Sequence, residues 1–242
     1  MPFLVGDTKS IDQFVKLRVE DYLYEFLQAN QDEDKIASQV FKTIILMHLS
    51  TSILNFGNEV GTVFVDKGGL LLLSRMVVEK MTESRMNWKV YERLIGALFV
   101  LCFKDRNVDT LKQTTAIQRL VDALTRALEF KQLETVIQVI KVLTYFSNDS
   151  LTWSQIICRD VIKACLFALG TKEKIDKKFV LALLNDISSS PITIKIIKEI
   201  PWNDGIGRLI SQAFVEEPVP VSLIIGNFNK VSITSLNFAR TL

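Results

Sequence analysis

Apolar positions along the chain recur at the three- and four-residue steps of helices. The clearest case runs from Asn87 to Lys104, where Leu94, Ala97, Leu98, Leu101 and Cys102 share one face. Its nearly unbroken apolar run, Leu94 to Phe103, is about half of what a bilayer crossing needs, so the pattern predicts burial against protein around most of the circumference. The flanking stretches 68–81 and 116–129 carry apolar stripes of their own. Upstream, Ile11, Phe14, Val15, Leu17, Val19, Tyr22 and Leu23 predict one or two helices over 9–29, opened by Ser10 and Gln13 as a capping box. A long helix is predicted over 33–55 through Ile36, Val40, Ile44, Leu46, Met47 and Ile53, with a break at Phe56-Gly57 and a shorter helix over 58–66.

From residue 68 onward the chain counts in threes: a short helix, a medium helix opened by a small or acidic pair, and a long apolar helix. The medium helices align Gly68-Gly-Leu70, Thr115-Ala-Ile117, Asp160-Val-Ile162 and Asp204-Gly-Ile206, so that Leu70, Ile117, Ile162 and Ile206 stand 47, 45 and 44 residues apart. The long helices align Leu101, Leu143 and Ile187, 42 and 44 residues apart. Two independent columns with a period in the forties predict an all-α, right-handed α-solenoid. The organisation expected is a helical cap over 1–32 and a repeat domain over 33–242. In the β-branched tail, Pro218 or Pro220 suits the first turn of a helix and Leu223 to Phe228 aligns with Ala182 to Ile187, 41 residues earlier. The residues after Phe228 read as an incomplete unit, with room for the natural chain to continue past Leu242.

Charge changes this picture only by exclusion. With 29 Lys and Arg against 27 Asp and Glu, a net charge of +2 gives no electrostatic ground for nonspecific nucleic-acid or membrane-surface binding. No N-terminal leader pattern and no apolar run of about 18 residues is present, so an intracellular protein, cytoplasmic or nuclear, without membrane insertion is expected. Cys102, Cys158 and Cys165 are odd in number and lie in apolar helical patterns, which predicts buried free thiols. The single histidine, His48, lies in an apolar helix and is expected to be a packed side chain. With no phosphate-binding glycine motif and no metal-ligand spacing, the expectation is a non-enzyme with no catalytic residues, no cofactor and no metal. Trp88, Trp153 and Trp202 stand near the starts or turns of units, where an indole is expected to pack with its N–H directed outward.

The stretch Phe56-Gly-Asn-Glu-Val-Gly-Thr-Val-Phe-Val-Asp-Lys-Gly-Gly-Leu-Leu-Leu-Leu73 resembles the junction of armadillo repeats, in which a short helix ends at a Gly-Gly turn and a Leu-rich second helix comes next. Thr115-Ala116 and Asp160-Val161 lack that Gly pair, and the longer period tends toward HEAT repeats. The resemblance implies that third helices, here around 87–103, 133–146, 178–188 and 221–229, line a concave groove for a peptide or helix of another protein. Importin-like members of the family grip the peptide with a Trp and, four residues on, an Asn of each third helix. The matching positions here are Gly96 and Val100, Gln138 and Val142, and Ala182 and Asp186, so that ladder is absent. The groove offers instead Arg93, Phe99 and Phe103, then Lys141 and Tyr145, then Asn185 and Asp186, and finally Asn227. Phe99, Phe103 and Tyr145 equally suit a role in completing the core between repeats. The function expected is that of a protein-binding scaffold or adaptor. The alternatives are a cytoskeletal or chaperone-type regulator, or a subunit that self-assembles through its C-terminal repeat by way of Ile225, Phe228 and Leu236.

Overall fold

The computed structural model describes residues 19–54, 62–82, 86–171 and 177–199, and all regular structure in them is helical. The helices are α1 (Val19–Ala29), α2 (Asp34–Leu54), α3 (Thr62–Asp66), α4 (Gly69–Thr82), α5 (Trp88–Leu101), α6 (Asp105–Lys112), α7 (Ala116–Glu129) and α8 (Leu133–Ser147). A 3₁₀ turn (Ser150–Thr152) leads into α9 (Trp153–Ile156), and α10 (Arg159–Gly170), α11 (Lys178–Ser188) and α12 (Pro191–Glu199) complete the order. The succession short, medium, long read from the sequence recurs as 5, 14 and 14 residues in α3 to α5 and as 8, 14 and 15 in α6 to α8. The capping box at Ser10, Trp202 and the predicted helix over 221–229 lie outside the described residues.

The chain forms two compact units, residues 1–119 and 120–242. In the first, α2 lies along α5, α1 backs α2, α4 backs α5, and α3 packs on both α1 and α4. Leu27, Phe41, Phe64, Leu73, Tyr91 and Leu94 fill the space between them, each 1% exposed or less. The one polar side-chain atom of Tyr91 is satisfied in place, its hydroxyl donating to the Val77 carbonyl at 3.1 Å. In the second unit α8 lies along α11, α10 packs on both, and α12 packs on α10 and α11. Val136, Ile140, Leu143, Phe146, Ile162 and Cys165 form its core, all at 0% exposure.

Several polar contacts between helices join residues 35 to 46 positions apart. In the first unit Lys67 Nζ meets Glu25 Oε1 at 2.7 Å, 42 residues away, and Arg75 donates to Gln31 at 3.0 Å, 44 residues away. Lys80, almost fully buried, pairs with Asp34 at 2.8 Å across 46 residues, and Arg106 with Asp66 at 2.8 Å across 40. In the second unit the Ser147 hydroxyl donates to Asp186 Oδ2 at 2.5 Å across 39 residues, and the Thr144 hydroxyl to the Phe179 carbonyl at 3.3 Å across 35.

Turn chemistry fixes where the helices stop. Gly68 has φ +93°, a backbone state that L side chains rarely adopt, and Gly69 leaves no room for a Cβ because one would overlap the Phe64 ring. The short helix α3 thus ends at a Gly-Gly turn, as its sequence implied. The turn from α7 to α8 has no glycine. Gln132 N–H bonds to the Ala127 carbonyl at 2.8 Å and Lys131 N–H to the Leu128 carbonyl at 3.1 Å, a Schellman closure whose left-handed position is Lys131 at φ 54°. Asn87 opens α5, its side chain accepting from Val90 N–H at 3.4 Å.

Two expectations are corrected. Cys102 and Cys165 are buried, but Cys158, in the turn just before α10, is only half-buried, because its residue precedes the helix rather than lying on its inner face. The Trp153 indole does not point its N–H outward: it donates to the Ser147 carbonyl at 2.8 Å, satisfying an acceptor at the C-terminus of α8. Trp88 is half-buried and meets Tyr91 edge to face, ring centroids 6.2 Å apart.

Candidate partner-docking surface

A helix backed on one side by its neighbours has only its opposite stripe left for a ligand. In α5 the buried positions Val90, Tyr91, Leu94, Ile95, Ala97, Leu98, Val100 and Leu101 occupy one broad face, which leaves Lys89, Glu92, Gly96, Phe99 and, just past its end, Phe103 on the other. Phe103 is half exposed, at 50%, and Phe99 is half-buried; the two rings meet edge to face at 5.2 Å between centroids. Phe103 therefore does not complete the core. Arg93, at the flank of the stripe, donates to the buried Ser38 hydroxyl of α2 and fixes the two helices side by side. Gly96 permits that closeness: a Cβ there would stand 3.2 Å from Ile45 Cδ1.

The second unit presents its own stripe. Glu134, Gln138, Lys141 and Tyr145 lie on the outward face of α8, with Gln138 donating to Glu134 at 3.0 Å. Lys141 Nζ sits 5.7 Å from the centroid of the Phe179 ring in the first turn of α11, and Tyr145 is half-buried. On α11, Asn185 is half-buried and its carbonyl accepts from the Ser188 hydroxyl at 2.7 Å. Asp186 turns toward α8 instead, where it meets Ser147; burial raises its carboxyl above the ordinary value of 3.8, and the Ser147 hydrogen bond opposes that shift. Asp186 is thus a link between two helices as well as a candidate docking group.

The residues singled out in the sequence therefore fall into two sets. Arg93, Phe99 and Phe103 lie on or just past α5 in the first unit, where the two Phe rings meet, and Lys141, Tyr145, Asn185 and Asp186 lie on α8 and α11 of the second, while Asn227, Ile225, Phe228 and Leu236 lie outside the described residues. Of the positions matched to the Trp-Asn ladder, Val100 and Val142 are buried, so the second column of that ladder faces the core at these two helices. Sequence reasoning missed one element of the first set. The outward stripe of α2, Lys35, Gln39, Lys42 and Leu46, lies opposite its buried Ala37, Phe41 and Ile44, and α2 packs along α5. Its four- and three-residue spacing was readable, but the repeat columns began at residue 68 and so left α2 out.

Among the described residues no group of three or more His, Cys, Asp or Glu is placed to hold a metal ion, and no helix is long and apolar enough to cross a membrane. The His48 side chain lies outside the described part of α2. No family model matches the chain, and no curated protein matches it. Among solved structures it is similar to the crystal structure of an engineered protein from the Northeast Structural Genomics Consortium, with a TM-score of 0.59 and 14% identity, over 94% of this chain and 86% of that one. At that identity the likeness concerns the fold alone.

Proposed function

We propose that the chain is an armadillo-like α-solenoid that acts as a non-catalytic scaffold, docking a segment of a partner protein on the outward stripes of its third helices. The observation that carries this reading is the side-by-side packing of α2 with α5 and of α8 with α11, the first pair backed by α1 and α4 and the second by α10. Stacked helices of this kind expose a long semi-apolar face on which a partner helix or strand is read side chain by side chain. Hydrogen bonds between residues 39 to 46 positions apart support the repeat assignment, and aromatic groups mixed with polar ones, Phe99 and Phe103 in one unit and Lys141 and Tyr145 in the other, suit a protein contact. A role without chemistry of its own agrees with a chain that contains one histidine.

The test is affinity purification of the tagged protein from its own cell beside two variants, Phe99→Asp/Phe103→Asp and Lys141→Glu/Tyr145→Ala. A partner retained by the parent and lost with either variant, while the helical circular dichroism stays the same, supports the reading. Identical partner sets for all three proteins remove these faces from consideration.

A further inference from the structure

We propose that the Ser147 hydroxyl is a two-position switch at the end of α8, which closes the last turn of that helix while Asp186 holds a proton and swings to Asp186 when the proton leaves. Its basis is a count of protons. The hydroxyl has two acceptors in reach, the Thr144 carbonyl at 3.0 Å and Asp186 Oδ2 at 2.5 Å, and a serine carries one hydroxyl proton. At 1% exposure Ser147 is shielded from bulk water, so that proton goes to one of these two acceptors. The switch is internal to the second unit and operates with or without a docked partner.

When Asp186 is ionised, its carboxylate outcompetes a neutral carbonyl for the hydroxyl proton, and the Thr144 carbonyl loses this donor. When Asp186 is protonated, its carboxyl group donates to Ser147 Oγ, which frees the hydroxyl proton for the Thr144 carbonyl, so that both bonds form together. The position gives the exchange its effect, because α8 ends at Ser147 and the last four carbonyls of a helix have no intrahelical partner. Side chains supply donors there: the Thr152 hydroxyl to the Phe146 carbonyl at 2.6 Å and the Trp153 indole N–H to the Ser147 carbonyl at 2.8 Å. The Ser147 hydroxyl is a further donor to this helix end, and it is one that a titrating carboxyl group draws away.

Other titratable groups on the elements packed against α11 leave Asp186 to this partner. On α8, Glu134 accepts from Gln138 at 3.0 Å, Lys141 stands over Phe179 near the start of α11, and Tyr145 is half-buried on the outward stripe. On α10, Asp160 accepts from Thr125 at 3.4 Å and lies 3.9 Å from Lys163, Arg159 opens the helix, and Cys165 is a thiol that burial keeps protonated. Lys195 and Glu199 of α12 and Lys178 of α11 itself are exposed. Burial raises the Asp186 carboxyl, the Ser147 hydrogen bond lowers it, and no charge from these groups is among the causes. Burial outweighs the hydrogen bond, so the exchange falls above the ordinary value of 3.8.

The experiment is an NMR titration of the full chain from about pH 3 to pH 8, with 15N in the Trp indoles and 13C in the Asp carboxyl groups. Trp153 is the reporter, since its indole N–H is bonded to the Ser147 carbonyl, and Trp153→Phe assigns its signal. The Asp186 carboxyl, identified by its absence in Asp186→Asn, is expected to titrate with a midpoint above 3.8, and the Trp153 signal to shift with that same midpoint. In Asp186→Asn the Trp153 signal is expected to stay constant with pH. Ser147→Ala keeps the main-chain carbonyl and removes the hydroxyl. There the Asp186 midpoint is expected to rise further, because the hydrogen bond that lowers it is gone, while the Trp153 signal no longer follows. If Ser147→Ala fails to fold, the comparison of the parent with Asp186→Asn decides. An Asp186 midpoint at or below 3.8 overturns the inference, as does a Trp153 signal that stays flat in the parent while the carboxyl titrates. A Trp153 signal that moves as much in Asp186→Asn or in Ser147→Ala as in the parent overturns it too.

Discussion

At Gly68 the cost of a side chain lies in the backbone, whereas at Gly69 it lies in the ring next door. A Cβ on Gly68 finds Tyr24 Oη no nearer than 3.8 Å, so Gly68→Ala is expected to lose about 1 kcal/mol through its φ of +93° alone. Gly69→Ala drives a methyl into the fully buried Phe64 ring and is expected to cost about 1–3 kcal/mol, both effects read from urea midpoints. Equal melting of parent and Gly68→Ala would contradict the strained turn. Lys131 is the converse case, a side chain held at φ 54° where glycine is favoured, and Lys131→Gly is expected to stabilise by about 0.5 kcal/mol or leave stability unchanged. The pair Gly68-Gly69 was legible as a turn because glycine advertises positive φ. The Lys131 turn was not, because nothing in its sequence does. The thiols divide in the same way: burial pushes Cys102 up to about 12 and raises Cys165 as well, with Cys158 adding to the rise at Cys165. Labelling with a disulfide thiol reagent at pH 8 is expected to modify one thiol, Cys158, in the native protein and all three in guanidinium; three equal native rates would refute the burial.

Among the elements, those with a sustained helical period were read closely, and those defined by tertiary partners were not. The segment 116–129, predicted from its apolar stripe, coincides with α7, and 178–188, expected as a third helix of the repeat columns, coincides with α11. The four-residue α9 is too short to show a period, and its place depends on Trp153 bonding back to Ser147. Docking candidates were legible as columns on third helices, but a column does not reveal which of its members serves the fold. Asp186 makes the difference concrete. Its carboxyl is raised by burial, so the folded state holds the proton more tightly than the unfolded chain does. The stability that this contributes is fully present below the ordinary carboxylate value of 3.8 and is lost as pH rises through the higher folded value. Asp186→Asn keeps an acceptor for the Ser147 hydroxyl and carries no charge to desolvate. It is therefore expected to be at least as stable as the parent at pH 7 and to have a flatter dependence of urea midpoint on pH between about 4 and 7. An unchanged slope in the variant would assign that pH dependence to other groups.

For the molecule as a whole, the decisive quantity is how far a disturbance travels. Contacts that join helices about 35 to 46 residues apart, such as Thr144 to Phe179 and Lys80 to Asp34, tie each helix to a near neighbour rather than to distant parts of the chain. Where repeats are joined in this way stability is approximately a sum of repeat and nearest-neighbour contributions, so partial unfolding is expected in place of a single all-or-none transition. Leu143 is fully buried in α8 of the second unit, and Leu143→Ala is expected to remove roughly 2–5 kcal/mol there through lost contacts and the cavity left behind. Hydrogen exchange measured by mass spectrometry should then show faster exchange in α8, α10 and α11 of the second unit. The α2, α4 and α5 amides of the first unit should keep the protection they have in the parent. A uniform loss of protection over both units would mean that the chain unfolds as one cooperative body, and the additive picture of repeats would fail with it. Retained protection in the first unit would also mean that its α2–α5 face outlasts damage to α8, so a ligand of that face should bind the Leu143→Ala variant with unchanged affinity.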